Sequence, residues 1–153
     1  MNRQQRRAEK HRKFQYERTI PLPRMLDEWT IFDCPQRIIN TILTGEVPSI
    51  MGKPVFLDNQ GDWCEVCPAL SGWIFTWQRI IDRLGHNASL MALGKLHNKL
   101  QADMPLQTKD VEQALDELNA LRSIFRQTDR SLIKSIAQDA QIAIFMQDEQ
   151  QKI

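Results

Sequence analysis

Apolar positions along the chain fall into stretches with helical spacing, separated by glycine, proline and short polar runs. Ile38, Ile39, Ile42 and Leu43 share one face just after Asp33-Cys34-Pro35. Asp33 and Gln36 stand at capping-box spacing, Pro35 fits a first turn, and Gly45 supplies a stop. A stronger stripe of Leu70, Trp73, Ile74, Trp77, Ile80, Ile81 and Leu84 predicts a central helix opening at Pro68 and ending at Gly85. Leu90, Leu93, Leu96, His97 and Leu100 predict a helix from Asn87, as cap, to Ala102. Val111, Leu115, Leu118, Leu121, Ile124 and Phe125 mark a helix beginning at Thr108 or Asp110. Leu132, Ile133, Ile136, Ala140, Ala143 and Ile144 mark one over 131–146. The polar run 126–130 is either a turn, making 110–126 and 131–146 an antiparallel pair, or the solvated middle of one long helix.

Residues 47–66 read differently. Val55–Leu57 and Trp63–Val66 are short strand-like runs with Asp58-Asn59-Gln60-Gly61 between them as a turn. A two-stranded hairpin is marginal alone and must lie on helices. The expected fold is mainly α, with four or five helices and one small β-hairpin, preceded by a basic N-terminal arm. The 153 residues suit one helical domain over 25–148, with residues 1–24 as arm and Pro-containing linker and 149–153 as a frayed tail.

Charge divides the chain at the same place. Residues 1–24 hold eight basic and two acidic side chains, net +6, and the rest holds twelve and seventeen, net −5. Arg3, Arg6, Arg7, Lys10, Arg12, Lys13 and Arg18 are the candidate contacts to a nucleic acid or another polyanion, with Phe14 and Tyr16 as stacking groups. No apolar run is long enough to cross a bilayer, and no hydrophobic stretch follows the basic opening as in a signal peptide. A cytoplasmic protein is expected, and three cysteines do not fit a disulfide-stapled secreted domain.

Candidate chemistry is sparse. Trp63-Cys64-Glu65-Val66-Cys67-Pro68 resembles the redox motif of the thioredoxin family, in which Trp-Cys-x-x-Cys lies between a strand and a helix. That resemblance implies dithiol–disulfide exchange at Cys64 and Cys67. As zinc ligands they form one pair where a closed site takes four, and nothing in the spacing selects Cys34, His11, His86 or His97 to complete it. The expectation is therefore no metal and no cofactor. Asp110/Glu112 and Asp116/Glu117 read as the solvated face of a helix. There is no phosphate-binding glycine loop or nucleophile elbow, no small-molecule substrate is evident, and an enzyme is disfavoured. Helices at 73–84 and 87–102 around Gly85 also fit a helix-turn-helix, with Asn87, Ser89, Lys95, Asn98, Lys99 and Gln101 on the reading helix.

The Gln- and Arg-rich opening resembles the starts of small phage-encoded proteins. The expected function is non-catalytic binding of a protein partner or a second copy, in assembly or regulation. Trp29, Phe32, Trp73 and Trp77 are the candidate interface residues. The alternative is nucleic-acid binding through the arm, and the minor alternative is thiol–disulfide exchange.

Overall fold

The computed structural model describes residues 27–151. The candidate polyanion contacts Arg3, Arg6, Arg7, Lys10, Arg12, Lys13 and Arg18 lie outside the described residues. The described chain forms five helices and a three-stranded antiparallel sheet: α1 Glu28–Leu43, β1 Ser49–Ile50, β2 Lys53–Leu57, β3 Trp63–Glu65, α2 Val66–Leu84, α3 Met91–Gln101, α4 Thr108–Gln127 and α5 Arg130–Gln151. The fold is mainly α, as the hydrophobic pattern predicts.

α1 begins earlier than the sequence predicts. Asp27, not Asp33, is its cap and accepts from the Thr30 N–H at 2.7 Å. Pro35 consequently lies inside the helix, where it cannot donate to the Ile31 carbonyl. That carbonyl accepts instead from the Trp73 indole N–H of α2 at 2.9 Å. α2 begins at Val66, so Cys67 and Pro68 both occupy its first turn, where an N–H is not needed for the ladder. Gly85 ends it in the left-handed region at φ 69°, with the His86 N–H returning to the Ile81 carbonyl.

The hairpin gains a third strand. β1 pairs with β2 through Ile50↔Lys53, and β2 pairs with β3 through Phe56↔Cys64. Asp58 closes the β2–β3 turn by accepting from the backbone N–H groups of Gln60 and Asp62. Phe56 meets Ile38, Val66 and Leu70 in a small core that seats the sheet on α1 and α2.

The main core joins all five helices through Phe32, Trp77, Leu93, Leu118, Phe125 and Ile136 among others. Burying a side chain of this size contributes about 1.5–3 kcal/mol. α3 starts later than predicted, at Met91, and Glu117 of α4 accepts from its Leu93 N–H at 2.9 Å. Thr128 and Asp129 break the chain between α4 and α5. α5 then lies along α2 rather than folding back on α4, so the expected antiparallel pair does not form. An Arg83–Asp139 ion pair at 2.7 Å ties α5 to the end of α2. Among the described residues no helix is long and apolar enough to cross a membrane.

Candidate docking surface

The sequence-predicted interface residues separate by burial. Phe32 and Trp77 are each 1% exposed and belong to the core. They correct the expectation that both meet a partner, because the helical stripe that makes a residue look like an interface anchor is the same stripe that builds a core. Phe32, Trp73 and Trp77 lie with ring centroids 5.3–5.6 Å apart, and Phe125 approaches Phe32 edge-on at 6.1 Å. Trp73 is half-buried and spends its indole N–H on Ile31. Trp29 stays 69% exposed, in a shallow groove between α1 and α4 beside the bidentate Arg126–Glu28 pair.

The three cysteines are free thiols. Cys34 and Cys64 both pack against the small core under the sheet. Burial, then the neighbouring Asp33 and Cys64, push the Cys34 thiol up to about 12. Burial and the Asp58 carboxylate, which accepts from its Sγ at 3.6 Å, raise Cys64. Burial and Glu65 raise Cys67 despite its place in the first turn of α2. An attacking cysteine needs the thiolate, which these surroundings disfavour. The sheet is wholly antiparallel, and no cis peptide bond occurs among the described residues. Also among the described residues, no three His, Cys, Asp or Glu side chains converge as metal ligands would.

The polar residues of α3 are largely committed to the fold. Lys99 donates to the Asp110 carboxylate at 2.7 Å, and Lys95 lies 3.4 Å from it. Asp110 is only 3% exposed and also accepts from the Gln107 N–H at 2.9 Å, so it caps the start of α4. It therefore does not lie on the solvated face expected for the Asp110/Glu112 pair. The chain between α2 and α3, residues 85–90, is longer than a helix-turn-helix turn.

Sequence reasoning did not find a cleft that the described residues form. A cleft of about 1080 Å³ opens between the sheet, the end of α1, the start of α2 and the α3–α4 junction. Half-buried Ile42, Leu100, Leu106 and Leu115 line its depth. Exposed Leu43, at 59%, and Met104, at 53%, stand on its wall. Its charged lining residues are Lys53, Glu65, Asp103 and Glu112. Lys53 lies 3.5 Å from Glu65.

Two backbone irregularities flank this cleft. Met51 (φ 55°) and Asp103 (φ 53°) are the non-glycine residues with positive φ among the described ones. Met51 and Gly52 form the two-residue β1–β2 turn, both at positive φ, a geometry for which asparagine-glycine is preferred. Methionine stands there instead, 95% exposed. Asp103 takes the left-handed position that ends α3, where glycine is usual, with the Met104 N–H bonded to the Lys99 carbonyl at 2.8 Å. Methionine next to glycine in a hairpin turn was the signal present in the sequence. The chain matches no protein-family model, no curated protein and no solved structure.

Proposed function

We propose that this protein is a non-catalytic docking module that uses the cleft beside the sheet to hold a segment of a protein partner in an assembly or regulatory complex. The observation that carries this reading is the placing of both strained residues. Positive φ at a non-glycine residue costs of order 1 kcal/mol and clusters at ligand clamps and binding sites. Asp103 is itself a lining residue of the cleft, and Met51, 95% exposed at the hairpin tip, directly precedes the lining residues Gly52 and Lys53. Leu43 and Met104 add exposed apolar area that a partner would cover.

Met51→Asn and Asp103→Gly test the trade. Each change should raise stability in urea unfolding by about 0.5–1 kcal/mol, because the new residue suits the backbone. A photo-crosslinking amino acid at Leu43 should capture the same partner in cells from the unaltered background, and capture should fall in the two variants. The same crosslinker at Gln78, on the exposed face of α2, is the control. Equal capture at both positions, or variants that lose stability, would refute the reading.

The second reading is polyanion binding by the arm, supported by its net +6 charge. It uses different residues from the cleft and is separable from it by experiment.

A further inference from the structure

The sheet edge beside the cleft is open, and the ladder shows which backbone groups it leaves free. β1 and β2 are joined by the two-residue turn Met51-Gly52, closed by the pair Ile50↔Lys53. Farther from the turn, the Val55 N–H donates to the Pro48 carbonyl at 2.9 Å. Antiparallel pairs alternate between those that exchange bonds and those that do not. Ser49↔Pro54, between these two, is therefore the pair without bonds, in keeping with a proline that has no N–H to give. The Ser49 N–H and C=O point away from β2. β1 is the first strand of the sheet, so among the described residues they face no neighbouring strand. Ser49 is exposed and lines the cleft.

The same register decides which way an added residue would point. Pro54 and Phe56 are two apart on β2 and share one face, and Ser49, opposite Pro54, shares it too. Phe56 turns that face toward α1 and α2. A residue bonded to Ser49 from outside would therefore direct its side chain toward the helices. On that side Ile42, Leu100, Leu106 and Leu115 give the cleft an aliphatic depth.

Charge narrows the occupant further. The charged lining holds three carboxylates against one ammonium. Lys53 is already taken by Glu65 at 3.5 Å. Asp103 and Glu112 are exposed and form no ion pair among the described residues. An edge this short offers one residue's pair of bonds, so side chains must supply the rest of the affinity.

We propose that the partner segment is extended and basic. It adds to β1 as an outer strand bonded to Ser49, puts an aliphatic side chain into the cleft, and brings a lysine or arginine on the same side to Asp103 and Glu112. This rests on the reading of the cleft as a docking groove and specifies what fills it.

The probe is a displayed library of random linear peptides panned against the full chain, followed by fluorescence anisotropy of the selected peptides. Selected sequences should carry lysine or arginine two residues from leucine, isoleucine or valine, since alternate residues of a strand share a side. Ser49→Pro removes the outward N–H at an edge position where proline is tolerated, and should weaken binding about fivefold or more. Ser49→Ala keeps both backbone groups and should bind like the unaltered chain. N-methylation of the peptide amide that pairs with the Ser49 carbonyl should weaken binding about as much, without any change to the protein. Asp103→Asn/Glu112→Gln should weaken basic peptides about fivefold or more. A selection that returns no peptide, or returns acidic ones, overturns the proposal. So does a dimer of the chain that Ser49→Pro dissociates, which would put a second copy on the edge. Peptides that Leu43→Asp weakens, but that ignore both Ser49→Pro and N-methylation, keep the docking groove and remove the added strand. Peptides that ignore Leu43→Asp as well remove the groove with it.

Discussion

Pro35 and Trp73 form a matched pair of irregularities. Proline inside a helix removes one ladder bond and leaves a carbonyl without its donor four residues on. In α1 that carbonyl is Ile31, and the indole of Trp73 supplies the missing donor from a neighbouring helix. Both residues look ordinary in the sequence, where proline after Asp33-Cys34 resembles a first-turn residue and Trp73 one member of an apolar stripe. Their pairing depends on the crossing of α1 and α2, which local spacing does not encode. Trp73→Phe keeps most of the apolar contact and removes only the N–H, so it should cost about 1–2 kcal/mol in urea unfolding. Pro35→Ala restores a backbone donor to the same carbonyl. In that background Trp73→Phe should cost less by about 0.5 kcal/mol or more, the mark of a shared partner in a double-mutant cycle. Strict additivity would show that the indole bond does not compensate for the proline.

The helices were legible in this chain, as were the end of α2 at Gly85 and the start of α4 at Thr108, but the starts of α1 and α3 were not. Stripes such as Leu70-Trp77-Leu84 locate the cylinders because burial on one face needs that period. The start of α3 is held by Glu117 of α4, a contact made only after folding, whereas the start of α4 is capped locally by Asp110. Asp110 stands next to Val111 and one turn before Ala114, on the edge of the buried face, and Lys99 brings it a counter-charge from α3. The Lys99 ammonium, with the Gln107 N–H, holds the Asp110 carboxyl down to about 2, against 3.8 when unperturbed. A lowered folded-state value means that the ion pair's stabilisation is complete above 3.8 and is lost as pH falls through about 2. Asp110→Asn should therefore unfold at lower urea than the unaltered protein at pH 6. The two midpoints should converge between pH 4 and 2, where Asp110 itself becomes neutral. A gap that persists unchanged to pH 2 would assign the loss to packing rather than charge.

At the scale of the whole molecule, charge and shape are arranged separately. Residues 1–24 carry net +6 and the remainder net −5, while the cleft is formed by elements from the end of α1 to α4. The sequence displayed the charge division at once, because it is linear. It hid the cleft, because the lining is drawn from Leu43, Pro54, Cys67, Met104 and Leu115, which share no local pattern. The two features predict opposite responses to salt. Binding through many cations releases counterions and falls steeply as ionic strength rises, whereas covering aliphatic side chains does not. On immobilised heparin the full chain should be retained at low salt and elute within the moderate-salt range. Changing Arg3, Arg6, Arg7, Lys10, Arg12 and Lys13 to Gln should abolish retention, since the acidic remainder repels the matrix. Leu43→Asp should elute with the unaltered protein while losing partner capture. Retention that survives the six substitutions would place the polyanion contact on the helical body, and Arg122 and Arg126 in the α1–α4 groove would be the next residues to change.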